Sequence, residues 1–171
     1  MRNTKGFTIL EVVVYTGILM IVVTALIGFL LWMVQSNTKT AVLHQVAEAA
    51  RNAIDEMEKE IREAESLYTP TTSLTQLSLE TKKNVPLGET STYVDFFLCG
   101  TRLCVKREGQ NAIALTSESL DVTNLQFQEV RTGGVSSLSI IFDVERQNPG
   151  NHPEFAASIQ ARAVVSLRAY E

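Results

Sequence analysis

Three sets of side chains in this sequence are of types that could do chemistry. Glu11 is the one ionisable carboxylate, with no basic group beside it, in the apolar run FTILEVVVYTGILMIVVTALIGFLLWMV from Phe7 to Val34. A carboxylate inside an apolar span costs roughly 2.5–3.5 kcal/mol on insertion scales, so it needs a partner or a route to the headgroups. Near the start of the run, Glu11 fits either. Cys99 and Cys104 flank Gly-Thr-Arg-Leu at what reads as a hairpin tip. In an exported domain they suit a disulfide that stiffens the turn by about 2 to 3 kcal/mol at most, and they stand otherwise as two reduced thiols. Asp143, Asn148 and Asn151 carry oxygens of the kind calcium takes, at a spacing that matches no EF-hand, so a solvated turn is the favoured reading. A zinc site would need two ligands beyond the cysteines, and His44 and His152 show no convergent spacing, so no metal is expected. The sequence contains no G-x-S-x-G, Walker, H-E-x-x-H or Gly-rich dinucleotide pattern, and neither catalysis nor a cofactor is expected.

These groups must be positioned by 171 residues, enough for one domain with a modest core or a smaller domain with an appendage. A hydrophobic fraction of 45% and only two cysteines exclude extensive disorder and a disulfide-rich miniprotein. The net charge of −4 gives no basic footprint and argues against nucleic acid as a direct partner. The mean hydropathy of +0.07 is that of an ordinary soluble chain, but apolar residues crowd into the first fifth and the remainder is markedly more polar.

The run from Phe7 to Val34 has 28 residues, or roughly 42 Å as a helix, longer than a hydrocarbon core of about 30 Å. Arg2, Lys5 and the α-amino group precede it, so the N-terminus is expected to stay cytoplasmic and everything beyond Val34 to be exported. The run is also too long for the apolar stretch of an ordinary secretory signal, about 7 to 15 residues.

Lys5-Gly6-Phe7-Thr8-Ile9-Leu10-Glu11, followed by an uninterrupted apolar helix, resembles the N-terminus of type IV prepilins and type II secretion pseudopilins, whose class III signal peptide is a short basic leader ending in glycine. The resemblance covers about the first 35 residues. It implies that residues 1–6 are a leader with Arg2 and Lys5 as its basic residues, cut between Gly6 and Phe7 by the prepilin peptidase. It further implies that the same enzyme N-methylates Phe7, and that Glu11 pairs with the Phe7 amine of a neighbouring subunit. The implied partners are that peptidase, other pilin or pseudopilin subunits and an inner-membrane assembly platform, with motor work left to a separate ATPase. Unlike many major pilins, the sequence has no proline before Pro70, only Gly28 near mid-helix, which lowers helix propensity without forcing a kink.

Helical periodicity resumes after Gln35-Ser36-Asn37. Leu43, Ala47, Ala50, Ile54, Met57, Ile61 and Ala64 form an apolar stripe, with Asp55–Lys59 and Glu58–Arg62 as candidate pairs on the solvated side. The spacing predicts one helix from Phe7 to about residue 64. After Tyr68-Thr69-Pro70 the period becomes two, with strands expected at Leu77 to Leu79, Tyr93 to Leu98, Leu103 to Lys106, Ile113 to Leu115, Leu125 to Val130, Leu138 to Val144 and Ser158 to Leu167.

The expected fold is therefore α+β: a long N-terminal helix, membrane-spanning over 7–34 and amphipathic over 35–66, packed on an antiparallel sheet domain over 67–171. This agrees with the pilin fold that the N-terminus resembles, and the downstream pattern is similar to J-type minor pseudopilins and W-type minor pilins. The expected function is a structural, minor subunit of a pilus or secretion pseudopilus. The alternative is a signal-anchored extracytoplasmic module that binds a ligand or modifies cell wall.

Overall fold

The computed structural model describes residue 6 and residues 8–132 and 135–167. One helix, α1, spans Ile9–Glu63, 55 residues and so about 82 Å of rise. It starts two residues later than the apolar run because Thr8 is its N-cap: Thr8 is extended, and its hydroxyl accepts the Glu11 N–H at 3.3 Å. Glu11 in the first turn and Arg62 in the last complement the helix dipole. The helix runs through Gly28 without interruption. Thr16, Thr24 and Thr38 donate to the carbonyls of Val12, Met20 and Val34 at 2.8 to 3.0 Å, which satisfies hydroxyls that lipid could not.

Beyond α1 come two antiparallel sheets rather than one. The first has the order β1 (Ser66–Leu67), β2 (Leu77–Thr81), β3 (Thr92–Cys99), β4 (Arg102–Arg107) and β5 (Ile113–Ala114). The second has the order β6 (Leu120–Thr132), β7 (Val135–Arg146) and β8 (Ser158–Ser166). Two-residue β1 is too short to carry a period. Strand β6 begins five residues before the expected Leu125 because its register slips between Thr123 and Gln126, where Asn124 takes a φ of 52°. Leu120 and Val122 are buried on one parity and Leu125 and Phe127 on the other, so this bulge interrupts the alternation that would have marked the strand. The sheets are stitched together where Val122 N–H donates to Thr101 O at 2.7 Å and Phe127 N–H to Leu74 O at 2.8 Å.

α1 lies mainly across β8 and β7 and meets β2 near its C-terminal end. Its buried face is Val42, Val46, Ala50, Ala53, Met57, Glu60 and Ile61, continued by Ala64, against Phe96, Leu138, Ile140, Phe142 and Val144 from the sheets. The expected stripe is thus rotated at its N-terminal end. Leu43 is 38% exposed and Ala47 half-buried, while Val42 and Val46 point inward. Both rows share Ala50, Met57, Ile61 and Ala64, and alternating steps of three and four accommodate either. The row that carries Val42 and Val46 is the one turned to the sheets. Of the expected pairs, Glu58–Arg62 forms at 3.0 Å, whereas Asp55 turns to Arg51 at 4.0 Å rather than to Lys59.

The face assignment is testable by thermal unfolding of the detergent-solubilised full chain. Met57→Ala, at a fully buried position, is expected to cost about 2–5 kcal/mol. Leu43→Ala should stay within about 0.5 kcal/mol. Equal costs at the two positions would contradict the observed rotation of the helix.

Candidate functional site

Thr8 fixes the first turn of α1 and thereby the direction of Glu11, one turn in from exposed Gly6. The Glu11 side chain is half-buried among exposed neighbours Ile9 and Leu10, and its polar partner is the Tyr15 hydroxyl, which donates to Oε1 at a long 3.5 Å. Such a contact compensates a carboxylate poorly. Gly6 and Glu11 are therefore placed by the structure; Arg2, Lys5 and Phe7 lie outside the described residues.

The next 23 positions form an apolar cylinder that the described residues of its own domain leave uncovered. Every large apolar side chain from Val12 to Val34 is exposed, Trp32 at 64%, and none of the most apolar window of α1 is buried. By length and composition α1 can cross a membrane. Exposed apolar area on this scale marks a surface that meets lipid or another protein.

Cys99 and Cys104 form a disulfide across the β3–β4 turn, with Cα atoms 5.9 Å apart, and Gly100 supplies the positive φ of 72° that the turn requires. The turn is tied to its surroundings: Leu103 N–H donates to the Thr116 hydroxyl at 3.2 Å, and Arg102 lies 3.4 Å from Glu118. The remaining candidate ligands are scattered. His44 is exposed on α1, and His152 sits in the β7–β8 loop. Asp143, in β7, accepts from Asn124 Nδ2 at 3.2 Å, while Asn148 Oδ1 accepts the His152 N–H at 3.0 Å. Asp143 is thus held on the strand, and Asn148 closes its own loop.

Sequence reasoning missed an ionic clamp between helix and sheet. Glu60, only 6% exposed, accepts from Arg107 Nε at 3.1 Å and again from its Nη2, and that Nη2 also donates to Glu56 at 2.7 Å. Lys83 meets Glu63 and Lys82 meets Glu65, so the acidic C-terminal end of α1 and the residues just beyond it are gripped by Arg107 of β4 and by the two lysines that follow β2. The hydrogen bond from Glu60, with Glu56 adding to it, raises the Arg107 pKa against the opposing effect of burial. Glu63 likewise raises that of Lys83. A cavity of about 260 Å³ opens beside the clamp, lined in part by Lys59, Thr92 and Gln110. One signal was available: Glu56 and Glu60 are one turn apart, and Glu60 adjoins Ile61 on the apolar stripe.

Residues 1–27 match the family described as the prokaryotic N-terminal methylation motif. No curated protein and no solved structure matches the chain. The motif supports a precursor of the type IV pilin or pseudopilin kind, processed by prepilin peptidase and assembled with other such subunits. With the long apolar helix it supports anchoring in a membrane.

Two measurements follow from the sheet domain. A Cys99→Ser, Cys104→Ser variant should lose about 2 kcal/mol, the loop-closure contribution of so short a ring, in thermal unfolding. An unchanged midpoint would mean that the turn is held by its hydrogen bonds alone. The second concerns acid. Hydrogen bonds from Ser91 and Ser66 hold Glu80 below its ordinary 4.5, and those from Gln147 and Thr101 hold Asp121 below 3.8. Both folded values are depressed, so their contribution is complete above the ordinary values and is lost as pH falls through the folded ones. Stability should decline below about pH 4.5, and Glu80→Gln should flatten the upper part of that decline.

Proposed function

We propose that this chain is a structural, non-enzymatic subunit, of the minor class, in a type IV pilus or a type II secretion-like pseudopilus. The single observation that carries the reading is the coincidence of the methylation motif over residues 1–27 with an apolar N-terminal stretch of α1 that no described part of its own domain buries. In this reading residues 1–6 are the leader, the peptidase cuts between Gly6 and Phe7 on the cytoplasmic side, and Phe7 becomes an N-methylated cation. The chain then sits N-terminus in, with the sheets outside the cytoplasmic membrane, until the assembly platform draws the helix sideways into a filament.

Chemistry at the top of the helix supports the pairing of Glu11 with the Phe7 amine of a neighbour. An unpaired carboxylate and an unpaired amine are each expensive once apolar helices pack around them. The Tyr15 hydroxyl at 3.5 Å leaves Glu11 with capacity for a charged donor. Minor status rests on the disulfide-bracketed hairpin and on the likeness of the strand pattern to J-type and W-type subunits.

Mass spectrometry of the N-terminus, on protein from its native membrane, tests the reading. A chain beginning at N-methylated Phe7 is the expected result. Gly6→Ala should leave uncleaved protein in the membrane, while Glu11→Ala should permit cleavage yet reduce incorporation into filaments severalfold or more. An intact start at Met1 or Arg2, with the peptidase active, overturns this reading in favour of a signal-anchored module.

A further inference from the structure

The loop from β7 to β8 reaches back along the spine to the place where α1 leaves its apolar stretch. There a cleft of about 430 Å³ is walled by Trp32, Gln35, Ser36 and Lys39 from the helix and by Pro153 and Glu154 from the loop. The four helix positions are spaced i, i+3, i+4 and i+7, hence on one face. The loop wall is built rather than slack: Asn148 Nδ2 donates to His152 O at 2.8 Å, and Phe155 N–H donates to the same carbonyl at 3.1 Å.

Depth in the membrane identifies what the cleft faces. With Glu11 at the inner hydrocarbon edge, about 30 Å of rise places the outer edge near residue 31. Trp32 then occupies the outer aromatic belt, and Gln35, Ser36 and Lys39 lie in or just above the headgroup layer. Helical side chains lean toward the N-terminus, so Lys39 reaches down toward that layer. Among the described residues Lys39 enters no ion pair, and the partner of Glu154 is His152, at 3.8 Å. A cation and a carboxylate thus face one cleft at headgroup depth.

Resting on the reading of α1 as membrane-spanning, we propose that this cleft binds the headgroup of an outer-leaflet phospholipid of the ethanolamine type, with its phosphate on Lys39 and its primary ammonium on Glu154. A headgroup with a phosphate alone would leave Glu154 facing an anion. A quaternary ammonium could not donate hydrogen bonds to the carboxylate. Seated there, one lipid would fix how far the domain stands from the membrane before assembly, and leaving the bilayer would require its release.

The full chain, reconstituted into vesicles of equal phosphatidylethanolamine, phosphatidylglycerol and phosphatidylcholine and extracted in mild detergent, is read by native mass spectrometry for retained lipid. Phosphatidylethanolamine should exceed the other two by about tenfold, the effect of one charge-assisted hydrogen bond. Glu154→Gln should erase the preference over phosphatidylglycerol, and Lys39→Gln should lower retention of all three. Glu118→Gln, remote from the cleft, should change nothing, and unchanged unfolding midpoints show that the variants fold. Retention in proportion to the vesicle, or a preference that survives Glu154→Gln, overturns the proposal, as does a photo-crosslink from position 39 to a second copy in place of lipid. Flotation with the vesicles separates the two premises: a chain that floats without preference sinks the headgroup site alone, and one that does not float sinks the membrane reading with it.

Discussion

Roughly half of α1 has to be kept from water by something other than the domain attached to it. From Ile9 to Val34 the large side chains lie open, and the sheets first cover the helix at Val42. The gap is geometric: the helix is about 82 Å long, and the two sheets pack along only about its last two-fifths, from Val42 on. The molecule thus combines a conventionally buried core at one end with an unburied apolar rod at the other. Lipid satisfies the rod at no cost, because its tails are as apolar as the side chains, and neighbouring rods of the same kind satisfy it equally well. In the proposed subunit that near-equivalence is what lets one helix serve as anchor first and filament core later.

A rod that transmits position must not slip or rotate within its domain. Apolar stripes alone constrain rotation loosely, as the two rows available between residues 42 and 64 make plain. The clamp removes the ambiguity. Arg107 can hold Glu60 and Glu56 together only when that face of α1 looks at β4, and Lys83 on Glu63 fixes the same face one turn further on. A buried ion pair often does no more than offset its own desolvation, so its contribution here is to register. Breaking it from one side would nonetheless be costly, because Glu60 at 6% exposure would be left as a buried charge without its partner.

Much of this was legible in the residues. The helix, the change from period 3.6 to period 2 near Tyr68, the β3–β4 hairpin and the alternation of β8 all follow from local pattern, because each element's pattern lies in one stretch of chain. What escaped depends on neighbours distant in sequence. The division into two sheets is decided by which strands pair, the start of β6 is hidden by the bulge at Asn124, and the inward turn of Val42 and Val46 depends on sheets that follow α1 far along the chain. The clamp joins residues 47 and 51 positions apart, beyond the reach of any helical spacing rule. For the candidate site the balance reverses: Gly6, Phe7 and Glu11 are defined by order along the chain, so the sequence displays them more completely than the fold of a single subunit does.

In the proposed filament, Glu11 is the residue for which a single protomer is an incomplete description. Its own helix offers a capping threonine, used by the backbone, and a tyrosine hydroxyl at 3.5 Å. Neither is a cation, and no described residue of the sheet domain comes near it, since the sheets begin their hold on α1 some thirty residues later. A carboxylate in this position tolerates the membrane by lying at the headgroup boundary, where water still reaches it. That refuge disappears once the helix is packed among others, and the carboxylate then needs a positive group at the same level. In the proposed subunit, the Phe7 amine of a neighbouring chain whose own start lies at the height of Glu11 would present one there. The pairing would therefore set the axial offset between subunits. Because the attraction is balanced against the desolvation of both groups, its influence falls on where helices stop sliding more than on how tightly they hold.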